Sequence, residues 1–188
     1  GDALGAPFEF EPGGSYLERF PKAIVGGTGE MIGGGAFNWA PGEFTDDTQM
    51  ALALTEAILS ENGEFEPKRV WSHFVAWSKQ ASDIGITTSA SLRGSDYRTA
   101  SKLAHEMLGR TDSNGSLMRI LPLLFYAKDK PIRERYELVR DVSSITHGHI
   151  RSVVACFYYL EFARLIIDGQ LKEKAYKQLQ YAVPNFLI

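Results

Sequence analysis

Thr45-Asp46-Asp47-Thr48-Gln49-Met50-Ala51-Leu52-Ala53-Leu54-Thr55-Glu56-Ala57-Ile58-Leu59 is the stretch on which the fold class turns. Thr45 is suited to N-cap a helix, because its hydroxyl can accept from an N–H of the first turn. Behind it Met50, Leu54, Ala57 and Ile58 recur at helical spacing on one face. The same turn sets two adjacent carboxylates between two hydroxyls, and hard divalent cations favour such oxygen donors. These residues alone leave two readings open. Asp46 and Asp47 either complement the positive end of the helix dipole or ligate a metal.

Outward from this stretch the pattern stays helical. Pro67 opens a segment carrying Val70, Trp71, Phe74, Val75 and Ser78. A Gly/Ser/Thr-rich connection is expected from Ser82 to Ser95. A helix through Ala100, Leu103, Ala104, Met107 and Leu108 follows, stopped by Gly109. The next is expected to start near Gly115 and run through Leu117, Met118, Leu121 and Leu124, with Pro122 kinking or restarting it. Further helices are predicted from Pro131 to about Ile145, from about His149 to Ile167, and from Leu171 to about Tyr181. Residues 1–44 hold Gly13-Gly14, Gly26-Gly27 and Gly33-Gly34-Gly35, and read as loops with one short helix over Ser15 to Phe20. No strand-length alternation competes, so the predicted class is all-α.

The chain has 188 residues, 44% of them hydrophobic, enough for one domain to bury a core without disulfides. A formal charge of −3 gives no basic footprint, which argues against nucleic acid and anionic membranes as partners. No apolar run approaches the ~20 residues that span a bilayer. The single cysteine, Cys156, lies in an apolar segment and reads as a core thiol in a reducing, cytoplasmic setting.

Several separated motifs together resemble the ADP-ribosylglycohydrolase family, which includes the dinitrogenase-reductase-activating glycohydrolases. Gly1-Asp-Ala-Leu-Gly-Ala-Pro-Phe-Glu9-Phe10 is similar to its opening signature, and Thr45-Asp46-Asp47-Thr48 to its first metal motif. Asn114-Gly115-Ser116-Leu117-Met118-Arg119 with Ile120-Leu121-Pro122 resembles its ADP-ribose-binding loop and the helix after it. Ser143-Ser144-Ile145-Thr146-His147 resembles its threonine-histidine motif. The resemblance implies a multi-helix, orthogonally packed all-α fold. The family pattern also has an apolar helix ahead of Gly1 and a C-terminal Asp-x-Asp segment completing the metal site. Neither is found in 1–188, so the domain is expected to be incomplete at both ends and its metal site a half-site, with activity of this polypeptide impaired.

The resemblance implies hydrolysis of the glycosidic bond joining ADP-ribose to an arginine or another protein side chain, through an oxocarbenium-like state. It implies Mg²⁺, two ions in a complete site, with Mn²⁺ an alternative; Thr45, Asp46 and Asp47 are the candidate ligands. Glu9 and Asp47 are the candidate catalytic carboxylates, and Phe8 and Phe10 are expected to desolvate Glu9 and raise its pKa. Asn114, Gly115, Ser116, Met118 and His147 are the candidate substrate contacts, with the Asn114 turn cradling a diphosphate. The segment Gly85-Ile86-Thr87-Thr88 is placed beside the pocket. Asp2 is a ligand, a cap or a supporting acceptor, and Arg119 pairs with phosphate or with an internal carboxylate. His147 alone also reads as a cation at a helix C-terminus, and His149 as a surface residue. Trp39, Trp71 and Trp77 are available for stacking, the last two more simply as core. Two other readings remain: a non-catalytic scaffold or binding relative, and a hydrolase of a small ADP-ribose conjugate.

Overall fold

In the computed structural model of the protein, Thr45 does cap the decisive helix. Its carbonyl accepts the first intrahelical bond from Gln49 N–H at 3.1 Å, and its Oγ1 accepts from Asp47 N–H at 3.3 Å. The structure describes residues 1–21, 31–60 and 65–187; the Gly26-Gly27 pair and Ile188 lie outside them. Ten α-helices and one 3₁₀ turn run through these residues without a named strand. They are α1 (Asp2–Gly5), the 3₁₀ turn Ala6–Phe8, α2 (Ser15–Arg19), α3 (Asp46–Leu59), α4 (Pro67–Ser78), α5 (Ile86–Leu92), α6 (Ala100–Leu108), α7 (Leu123–Ala127), α8 (Ile132–Ser144), α9 (Ile150–Ile167) and α10 (Lys172–Leu187). The all-α class is what the periodicity predicts. Among the described residues no helix is long and apolar enough to cross a membrane.

The chain divides into two compact units, Gly1–Gln49 and Met50–Ile188. In the first, the stretch expected as plain loop contains α1 and the 3₁₀ turn, too short for periodicity to reveal; Pro7 sets the 3₁₀ geometry at its start. Phe8 packs edge-on against Tyr16 and Phe20, with centroids 5.3 and 6.3 Å away. Gly33, Gly34 and Gly35 all take left-handed φ, and a Cβ on Gly35 would stand 2.9 Å from Pro7 Cα. Only glycine allows both the turn and that approach.

In the second unit Met50, Leu54 and Ala57 face a core shared with Val70 and Phe74 of α4, Val139 and Val142 of α8, and Phe157 of α9. Cys156 is fully buried in it; burial pushes its thiol pKa up, against weaker opposing contacts from Ser116 and Ser143. Arg135 of α8 grips the buried Glu161 of α9 through both carboxylate oxygens, at 2.5 and 2.7 Å.

Three segments depart from the pattern reading. Ser82 to Ser95 holds α5, which buries Thr88, Ala90, Ser91 and Leu92 and packs on α6. Its small and β-branched residues look like a loop, and tertiary burial makes them helical. The helix expected from Gly115 is a run of turns through Arg119, and α7 starts only at Leu123 with Pro122 as its N-cap. Pro122 has no N–H to offer the preceding turn. α10 runs on past Tyr181 with Pro184 inside it, because Val183 and Phe186 are held against the core.

Candidate functional site

The first unit gathers its carboxylates around the start of α3. Asp2 reaches across 43 residues of sequence: its Oδ2 accepts from Thr45 N–H and from Thr48 N–H, each at 3.0 Å, and its Oδ1 accepts from Thr45 Oγ1 at 2.9 Å. Of the three roles open to Asp2, the geometry realises the cap. Partial burial by itself would raise the Asp2 carboxyl, but hydrogen bonds from Thr48 and Thr45 outweigh it and hold the pKa below the usual carboxylate value. Asp46 is buried and Asp47 half-buried, adjacent at the first turn, with Thr45 Oγ1 3.3 Å from Asp47 Oδ2.

This turn offers oxygen donors only: two carboxylates and a hydroxyl. Among the described residues no group of three or more His, Cys, Asp or Glu side chains has the geometry to hold a metal. The donor set suits Mg²⁺, which takes one or two carboxylates and retains water at its other positions, and it does not suit zinc.

Glu9 follows the 3₁₀ turn as its C-cap and is exposed. The desolvation expected from its phenylalanine neighbours is absent. Phe8 turns to Tyr16 and Phe20, while Phe10 is 74% exposed, in a left-handed conformation (φ 69°), with its ring 6.3 Å from that of Phe37. Alternation of apolar and acidic residues says nothing about where each ring finds a partner. Trp39 is buried in this unit, its ring 5.6 Å from that of Phe37.

In the second unit the loop 113–116 is built against the end of α8. His147 is 1% exposed, with Nδ1 2.8 Å from Thr146 Oγ1 and Nε2 2.9 Å from Ser113 Oγ. Burial, helped by the nearby Arg119 charge, lowers its pKa to about 3. The imidazole is therefore neutral at ordinary pH, and the reading of His147 as a dipole-paired cation is overturned. Gly115 lies against that ring: an ideal Cβ there would stand 2.7 Å from His147 Cε1 and 3.2 Å from Thr88 Oγ1. Here glycine is required by space.

The other residues of the expected binding loop separate. Asn114 is exposed. The Ser116 side chain points inward, accepting from Ser143 Oγ at 2.9 Å and lying 3.4 Å from Cys156 Sγ, so only its backbone can meet a ligand in this conformation. Met118 lines an apolar groove of about 620 Å³ with Leu117, Ala155, Tyr158 and Tyr176, a lining without phosphate chemistry.

Arg119 is fully buried. It donates to Thr146 Oγ1 at 2.9 Å and Gly115 O at 3.3 Å, and it stacks 4.3 Å from the Phe74 ring centroid. That position removes the option of pairing with a phosphate from solvent. His149 is the N-cap of α9, its Nδ1 accepting from Arg151 N–H at 3.2 Å. Sequence reading missed Ser113 and Thr146 as partners of the buried imidazole. Ser113 lies just ahead of the Asn114 motif and 34 residues from His147, so only the fold brings the two together, whereas Thr146 is the chain neighbour of His147 inside the quoted motif.

Comparison with known proteins agrees with the motifs. The family model for ADP-ribosylglycohydrolase matches residues 1–186. The chain is similar to the ADP-ribosylarginine hydrolase Tri1 of Pseudomonas putida (strain GB-1), 30% identical over 182 residues, covering 93% of this chain and 46% of that protein. It is similar to the ADP-ribosyl-[dinitrogen reductase] glycohydrolase of Rhodospirillum rubrum, 30% identical over 172 residues, covering 90% of this chain and 55% of that one. Tri1 of Serratia proteamaculans (strain 568) is 29% identical over 184 residues, covering 94% and 47%. The chain thus spans about half the length of the curated relatives it matches. With the family model matched along nearly all of its length and the motifs in order, this chain belongs to the ADP-ribosylglycohydrolase family.

Proposed function

We propose that the protein removes ADP-ribose from a modified protein side chain, arginine or another, by hydrolysing the glycosidic bond with Mg²⁺ as cofactor and Mn²⁺ as a substitute. The observation that carries this reading is the oxygen-only turn Thr45-Asp46-Asp47 in a chain of this family. The names of its relatives, an ADP-ribosylarginine hydrolase and an ADP-ribosyl-[dinitrogen reductase] glycohydrolase, support an ADP-ribosylated protein as substrate.

Roles are assigned within each unit. In the first, Asp46, Asp47 and the Thr45 hydroxyl would hold the cation. When bound, Mg²⁺ supplies Lewis-acid polarisation of oxygen ligands. Asp2 keeps Thr45 in place, so the hydroxyl stays beside Asp47. Glu9, exposed at the end of the 3₁₀ turn, is placed to take a proton from an attacking water. Asp47 offers a second carboxylate to orient that water. In the second unit the exposed Asn114, with the backbone of Gly115 and Ser116, binds the diphosphate, and His147 supports the loop as a neutral imidazole. Met118 adds apolar contact. The buried Cys156 thiol fits a cytoplasmic setting.

The test is release of ADP-ribose from an ADP-ribosylated arginine protein, with Mg²⁺ and with a chelator. Turnover should need the metal, and Asp46→Asn should cut it by at least about 100-fold, the scale of a lost transition-state contact, with unchanged circular dichroism. Full activity of that variant would overturn the metal assignment, and no release by the wild type would overturn the hydrolase reading.

A further inference from the structure

The hydrogen bonds around His147 have a direction, and it ends on a residue outside the motifs. Arg119 is donor-only, and its Nη2 donates to Thr146 Oγ1 at 2.9 Å. Thr146 is fully buried, and the other polar atom its hydroxyl meets among the described residues is His147 Nδ1, at 2.8 Å. The Thr146 hydrogen must go to Nδ1, since a protonated Nδ1 would strand it in the core without an acceptor. A neutral imidazole that accepts at Nδ1 carries its hydrogen on Nε2, which then donates to Ser113 Oγ at 2.9 Å.

Ser113 therefore already accepts, and its own proton must be given away. Within the protein it faces Thr87 Oγ1 at 3.4 Å, long for a hydroxyl pair. Ser113 is half-buried, and its carbonyl is tied to Ser152 Oγ at 3.2 Å. A donor is thus held in place, beside the exposed Asn114, with only a weak internal acceptor. The Arg119 charge at the far end polarises the chain in the sense that favours an anion at its open end.

We propose that Ser113 is a specificity-determining residue, giving its hydroxyl proton to an anionic oxygen of the ligand's diphosphate, with Arg119, Thr146 and His147 as the positioning residues that fix its polarity. The inference rests on the ADP-ribosyl reading above.

The test pairs calorimetric titration of ADP-ribose into wild type, Ser113→Ala and Ser113→Thr with ¹⁵N NMR of His147 in the ligand-free wild type. Ser113→Ala should weaken binding about tenfold or more, the loss of one hydrogen bond to a charged group. Ser113→Thr should stay within about threefold, because it keeps the hydroxyl. The spectrum should show hydrogen on Nε2. Unchanged affinity in Ser113→Ala, with the wild type binding, overturns the Ser113 assignment and leaves the function standing. Hydrogen on Nδ1 overturns the relay whether or not any variant folds. A wild type that ignores ADP-ribose overturns the functional reading and this inference with it.

Discussion

Replacing Gly115 with alanine tests whether the His147 ring is as tightly held as its contacts require. The new methyl would lie 2.7 Å from Cε1, 2.9 Å from Nε2 and 3.2 Å from Thr88 Oγ1. Ordinary carbon contacts start near 3.5 Å, so the ring must retreat by about 0.8 Å or the loop must lift. Retreat breaks geometry at both ring nitrogens, which sit 2.8 and 2.9 Å from their partners with 1% of the residue exposed. Overpacking of this kind costs about 1–3 kcal/mol, and weakening one buried hydrogen bond adds about 1 kcal/mol. Urea denaturation should therefore show Gly115→Ala less stable by about 2–4 kcal/mol with an unchanged slope. In a His147→Ala background the same substitution should cost at least about 1 kcal/mol less, the signature of a direct clash. A loss under about 0.5 kcal/mol in the wild-type background would refute the argument, since the ring would then have room to move.

His147 also makes stability depend on pH. Its folded pKa, about 3, lies below the unfolded value of 6.5, so the unfolded chain takes up the proton first. This contribution is complete above about pH 6.5 and is lost as pH falls from there toward about 3, with a ceiling of roughly 4–5 kcal/mol. The imidazole resonances should stay fixed from about pH 8 to about pH 5, and a midpoint near 6.5 would refute the buried neutral form. At the start of α3, Asp2→Ala removes the acceptor of the Thr45 and Thr48 amides. It should cost about 1 kcal/mol, as lost N-caps do, and should speed hydrogen exchange at those two amides. Unchanged exchange would show that the cap is dispensable.

Much of the helix pattern was legible because local signals agreed. Pro67, Gly109 and Pro131 mark their helix boundaries within a residue, and the apolar residues of α3 and α4 recur at helical spacing in the chain. The misses share one cause. In α5 and in the Gly115–Arg119 turns, local propensity points one way and burial the other. Thr88 and Ser91 become helical because α5 packs on α6, and Arg119 leaves its loop for the core.

By itself the sequence determined the family, the all-α class and the oxygen-donor turn at Thr45-Asp46-Asp47, because capping, periodicity and motif order are local in the chain. Only the tertiary structure decided what the polar residues do. Asp2 became a cap on a helix 43 residues away, Arg119 a buried donor, His147 a neutral link and Ser113 the end of its relay. Charge state and hydrogen-bond direction are set by burial and by partners distant in sequence, and no spacing rule encodes either.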